Sequence, residues 1–352
     1  MTSPNRPLSE EERKRLERKA RTLKNRRGRR NPAVMPNRLA RTSAFAPRRR
    51  DLITDSTFHR IYEVSGYSVL EVKGRELGSQ HRDAIYALFR LPQTLVRVPN
   101  PNYRPNTFQP ISLAFYETRT TWRQLLKATG RTEHVNNAMS LLNVFEEIKQ
   151  VVLTIHEGRS IEEMEKIYAK KAKGQLPDVP GAVGSIVEEL SWSGAKLDSE
   201  VVVRFGTRVR DMIEKSHLVS INADVHFRLK GDYAKTFWPF IDSQTAHTLV
   251  DEDRLAQLAG RKIWEGDENS RTRAQFRKEC RQAFKDMVDA GGLKDWREEV
   301  TGSGWSKSRR YHYTHALPTQ GELDLRPVEA KGSQAPEITV TDPETTPQNQ
   351  PA

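Results

Sequence analysis

TTWRQLLKATGRTEHVNNAMSLLNVFEEIKQ, residues 120–150, reads as helix, glycine-containing turn, helix. In the second helix Met139, Leu142 and Phe145 cover one side, while Asn136, Asn137, Ser140 and Asn143 share another. DEDRLAQLAGR, residues 251–261, repeats the first half of that pattern as a capped helix ending at Gly260. Leu125–Gly130–Arg131 and Leu255–Gly260–Arg261 keep the same internal spacing. A longer helix again follows after a polar loop, in NSRTRAQFRKECRQAFKDMVDAGGL, residues 269–293. There Phe276, Cys280, Ala283, Phe284, Met287 and Val288 recur at i, i+4, i+7, i+8, i+11 and i+12, and Gly291-Gly292 supplies the stop.

Outward from these pairs, Trp296 to Val300 and Arg309 to Ala316 flank the Gly-rich TGSGWSKS and predict a β-hairpin. A helix-turn-helix followed by a hairpin is a winged helix. Upstream, Tyr67 to Val72 predicts a strand, Ser79 to Leu91 an amphipathic helix, and Ile111 to Glu117 a second strand. Pro92 to Pro110 holds five prolines and predicts a loop. VVLTI, after residue 150, predicts a strand with HEGR as its turn, and Tyr233 to Ile241 is apolar and aromatic. One order of elements thus occurs twice. The expected class is α+β, mainly helical: two tandem winged-helix domains over 51–232 and 233–317, with disordered tails.

The 352 residues suffice for two domains, and hydrophobic residues make up only 36%, which fits disordered ends. The net charge of +12 is unevenly spread. Residues 1–50 hold 17 Lys and Arg against 4 Glu, and the remainder holds 41 against 42. Ser9 to Leu23 predicts a short helix with a capping box closed by Glu12. Lys24 to Arg50 is too poor in apolar residues to build a core, so the whole of 1–50 is expected as a basic, mostly mobile arm. Such an arm binds nucleic acid by counterion release or merely solubilises. From Pro318 the chain carries 6 acids and 2 bases, an acidic disordered tail.

The phrases TTWRQLLKATGR, the Asn-bearing helix, and TFWPFIDSQTAHTLVDEDRLAQLAGR before a basic helix resemble RepA/TrfA-like plasmid replication initiators. The resemblance covers roughly residues 60–316. It implies two winged-helix domains that bind repeated origin sites, melt adjacent DNA and recruit a host initiator and replicative helicase. It also implies a switch between dimers and monomers.

Six cations crowd the helix from Arg271 to Lys285, at about 0.2–0.5 kcal/mol of repulsion for each close pair. A solvated face tolerates that, and a polyanion would relieve it. The expected DNA contacts are Arg271, Arg273, Arg277, Lys278 and Arg281, with Lys285 on phosphate. In the first domain Asn136, Asn137, Ser140 and Asn143 can pair with adenine, or simply face solvent. Arg123, Lys127 and Arg131, with Arg119, would then reach phosphates from the preceding helix and turn. Lys307, Arg309 and Arg310 sit at the hairpin tip, where a wing meets backbone or minor groove.

Enzymatic signatures are absent. No Gly-Lys dipeptide occurs, which excludes a Walker-type phosphate loop. There is no His-x-His pair, and His312 and His315 lack a third ligand, so no metal or other cofactor is expected. His156 with Arg159, plus Tyr311 or Tyr313, is too short a pattern for a recombinase. Cys280, the sole cysteine, forms no internal disulfide, and no segment is apolar enough to span a membrane. The expectation is a cytoplasmic, non-enzymatic, double-stranded DNA-binding protein that initiates plasmid replication. A winged-helix repressor, or an RNA-binding assembly factor relying on the arm, are the alternatives.

Overall fold

The computed structural model describes residue 10 and residues 32–64, 68–105, 109–157, 160–174, 182–215, 217–244, 248–260, 270–302 and 308–316. The chain begins with β1 (Ala33–Pro36), α1 (Asn37–Ala40), β2 (Phe45–Ala46), β3 (Phe58–Val64), β4 (Ser68–Gly74) and β5 (Leu77–Gly78). Next come α2 (Ser79–Arg90), β6 (Thr94–Pro99), β7 (Ser112–Thr121), α3 (Trp122–Ala128), α4 (Val135–Lys149), β8 (Val152–Glu157), α5 (Ile161–Ala172) and β9 (Ala182–Ser185). They are followed by β10 (Val187–Trp192), β11 (Glu200–Phe205), α6 (Thr207–Lys215), β12 (Leu218–Ile221) and α7 (Ala223–Arg228). The last six are α8 (Asp232–Ser243), β13 (Leu249–Asp251), α9 (Glu252–Leu258), α10 (Ser270–Asp289), β14 (Leu293–Thr301) and β15 (Ser308–His315).

The same arrangement is built twice. In the first unit α2, β7, α3, α4 and the hairpin β10–β11 follow one another, with sheet order β10-β11-β7-β6. In the second, α8, β13, α9, α10 and the hairpin β14–β15 do so, with order β13-β15-β14. In both, the strand entering the helix pair lies antiparallel to the second hairpin strand. Both hairpins shift register near the start of their first strand, between Val187 and Glu189 and between Leu293 and Asp295. Gly130 and Gly260 both take φ 66°, the left-handed conformation that ends α3 and α9. The spacing read in the sequence is therefore a repeat of capping geometry.

The first unit departs from its expected plan. VVLTI, as β8, does not form the hairpin; it pairs with β4 and β9 in a second sheet of order β3-β4-β8-β9. The unit's own hairpin is built from 187–205, with residues 151–186 interposed. TLVRVP, expected as part of a proline loop, is the edge strand β6 beside β7. An edge accepts Pro99 because one side of the strand needs no ladder bond.

The expected arm ends earlier than residue 50. Ala33, Met35, Leu39 and Phe45 are buried. β1 runs antiparallel to β12, and β2 runs parallel to β5. These few apolar residues suffice because they enter a core that already exists. The helix expected from Ser9 to Leu23 lies outside the described residues apart from Glu10, and so does the acidic tail.

One apolar core runs through both units, from Ala33 to Tyr313. α8 joins them: its Ala234, Phe237, Trp238 and Ile241 are all buried, each large side chain worth about 1.5–3 kcal/mol. Gly292 lies against the Trp238 ring, and a Cβ there would sit 2.5 Å from one ring atom and 2.8 Å from Val225. Gly292→Ala is expected to lower stability by about 1–3 kcal/mol, read as the midpoint of denaturant unfolding. An unchanged midpoint would mean that this contact is loose.

Candidate nucleic-acid interface

The apolar side of α10 packs under its hairpin: Phe284 stacks on Tyr311 at 5.1 Å and lies 5.5 Å from Trp296. Phe276, Cys280 and Met287 are fully buried. Helical geometry then turns Gln275, Lys278, Gln282 and Lys285 to the opposite side, where all four are exposed. Gln275 Nε2 donates to Glu279 Oε1 at 2.7 Å. Gln275 and Gln282 were not singled out in the sequence. They are the positions opposite the apolar stripe, which is the signal that finds them.

Several cations expected to reach DNA are held by carboxylates of the protein. Arg277 donates through Nε and Nη2 to the two Glu252 oxygens at 2.7 and 3.2 Å, and Glu252 is 3% exposed. That bond raises the pKa of the guanidinium. Arg281 Nη1 donates to Glu298 Oε2 at 3.3 Å, and Arg309 shares the same carboxylate. Arg310 Nε donates to Asp251 Oδ1 at 3.0 Å. Acids on α9 and β14 therefore relieve part of the crowding along α10, a role the sequence reading left to phosphates. Local charge order could not reveal this, because the acids lie 25 and 17 positions away in the chain. Lys278 and Lys285 stay exposed, Arg273 is half-buried, and the Arg271 side chain and Lys307 lie outside the described residues.

On α4, Asn136, Met139, Ser140 and Asn143 line an open groove together with Gln80, Val144 and Glu147. Val135 and Met139 are 46% and 52% exposed, large apolar side chains that the sequence reading did not place on this face. His134 caps the helix, its Nδ1 accepting from the Asn136 amide at 3.1 Å. Asn137 is not part of the presented face: its Nδ2 donates to the Thr132 carbonyl at 2.8 Å. Arg123 is likewise occupied, bonding Asp198 at 2.7 and 3.0 Å and also Glu133. It fastens α3 to the β10–β11 hairpin rather than waiting for phosphate. Arg131 Nη1 lies 3.4 Å from Ser140 Oγ, and burial draws its pKa down. Lys127 is exposed, and Arg119 pairs with Glu117 and Glu200.

The remaining reactive groups serve packing. Tyr311 and Tyr313 are buried in the aromatic cluster, and burial pushes the Tyr311 hydroxyl well up. His156 shares buried Glu71 with His59 and Lys73 on the β3-β4-β8 sheet. Desolvation pushes the Glu71 pKa up, but hydrogen bonds from Lys73, Tyr168 and His156 and the Lys73 charge outweigh that and hold the carboxyl at about 2. Among the described residues no group of three His, Cys, Asp or Glu is placed to hold a metal ion, and no helix is long and apolar enough to cross a membrane.

No protein-family model matches the chain, and no curated protein matches it. Among solved structures, a crystal structure of RctB domains 2–3 is similar at TM-score 0.42 and 11% identity, over 80% of this chain and 98% of that one. A second, of selenomethionine derivatives of RctB domains 2 and 3, gives 0.46 and 10% over 80% and 98%. The Pi initiator protein in complex with iteron DNA gives 0.43 and 11% over 68% and 92%. A likeness this distant does not carry a function from one chain to the other.

Proposed function

We propose that the chain is a sequence-specific double-stranded DNA-binding protein with two tandem winged helices, which starts plasmid replication from repeated origin sites. The observation that carries the DNA-binding reading is the doubled unit. Each copy sets a helix, α4 or α10, after a left-handed glycine turn and beside a hairpin, and each leaves the polar side of that helix uncovered. A helix of that kind fits the major groove, and two on one core suit successive stretches of a duplex. The basic residues of 1–31 add affinity without sequence preference. Replication in particular rests on the resemblance of residues 60–316 to plasmid initiators. That resemblance also implies host replication proteins and a second copy of the chain as partners. With no phosphate-loop signature, strand opening draws on binding itself, against a bending cost on the order of 1–6 kcal/mol.

Footprinting on DNA flanking the protein's own gene tests this reading. Protected repeats spaced near one helical turn, or a multiple of it, are the expected result. Equal protection of any duplex at matched salt would overturn specific binding. An origin plasmid that replicates no better with the protein than without it would overturn the initiator role and leave a repressor.

A further inference from the structure

We propose, on the basis of the DNA-binding reading above, that the α4 face recognises A·T base pairs, so that one half of the bound site is A·T-rich. The presented residues are Val135, Asn136, Met139, Ser140 and Asn143, at i, i+1, i+4, i+5 and i+8, and none carries a charge. Guanine offers two acceptors in the major groove and is met by Arg or Lys. This face holds neither: within α4 the first cation is Lys149, in the last turn. Arg131, just before the helix, is half-buried and turned toward Ser140.

Adenine offers one acceptor and one donor side by side, which an amide side chain matches with both of its groups. Asn136 and Asn143 lie seven residues apart, about 10.5 Å along the axis at 1.5 Å per residue. That span is about three base-pair steps at roughly 3.4 Å each. Thymine adds a methyl group that an apolar side chain covers. Val135 and Met139, about half exposed beside the amides, are placed for it. At the far end of the groove Glu147 is paired with Arg75 and His81, so these charges are taken up within the protein. The α10 face, with Gln275, Lys278, Gln282 and Lys285, has a different chemistry, so the two halves of the site differ in sequence.

The test selects binding duplexes from a random pool with the full-length protein, then substitutes within the recovered site. One half is expected to hold a short A·T run. Uracil for thymine there, which removes only the methyl, should weaken binding roughly fourfold per buried methyl. Asn143→Ala should weaken it by roughly fivefold or more and relax preference at one position, with the unfolding temperature unchanged because the side chain is exposed. A site lacking any A·T run, or one indifferent to both uracil and Asn143→Ala, overturns the assignment while leaving DNA binding intact. Recovery of no preferred duplex overturns both.

Discussion

Asp83→Ala is expected to cost about 3–5 kcal/mol of stability at the junction between the two units. Asp83, on α2, accepts from Lys235 Nζ of α8 at 2.6 Å and from His226 Nε2 of α7 at 2.9 Å. Lys235 is 5% exposed and His226 is fully buried. Beside them Arg82 donates to Thr236 Oγ1 at 2.7 Å and to the Phe45 carbonyl at 2.8 Å. Removing the carboxylate leaves a buried ammonium without its counter-charge, next to a buried guanidinium. Lys235→Met in the Asp83→Ala background should restore much of the loss, since an apolar pair avoids desolvating either charge. Denaturant unfolding of the single and double variants decides it. A single-variant cost no greater than that of an ordinary surface substitution would show that the ions do not hold the units together.

The same cluster sets a pH dependence. Burial lowers the pKa of His226, so the folded protein keeps it neutral while the unfolded chain gains a proton near its ordinary pKa of about 6.5. Stability is therefore complete above that value and declines as pH falls below it. The Asp83 carboxyl, despite a large desolvation cost, is held at about 2 by His226 and Lys235. Its contribution is present above the unfolded pKa of about 3.9 and is lost as pH falls from there toward 2. Glu71, also held at about 2, adds to that lower step.

The second large effect concerns binding. Lys278→Ala with Lys285→Ala should weaken DNA binding on the order of tenfold for each phosphate contact near 0.1 M salt. The plot of log affinity against log salt should become shallower by about 2. Among the described side chains of α10 these two are the exposed cations, whereas Arg277 and Arg281 are bonded to carboxylates of the protein. Arg277→Ala should instead lower the unfolding midpoint, because it strands Glu252 in the interior, and should move the salt slope little. A double lysine variant with an unaltered slope would remove this face of α10 from the DNA contact. An Arg277 variant that lost binding at full stability would restore that arginine to it.

The parts legible beforehand are those fixed by local chemistry. Helix stops at Gly130 and Gly260 follow from the only residue that takes φ 66° without strain. The stripe from Phe276 to Met287 declares its buried side through its period, and the hairpin around TGSGWSKS through its turn residues. The parts that were misread depend on distant partners. AVMP and Phe45 seemed too sparse for a core, yet they complete one made by α2, α8 and β12. TLVRVP became a strand because β7 supplies its ladder, and β8 left its expected hairpin because β4 offered an edge.

By itself the sequence determined the helices α3, α4, α9 and α10, the glycine stops, the doubled order and the apolar side of α10, because these depend on residues within a turn or two of one another. Only the tertiary structure decided which charges remain available. Ion pairing is set by distance in space, and Arg123 with Asp198, Arg277 with Glu252 and Arg310 with Asp251 meet across 75, 25 and 59 positions of chain.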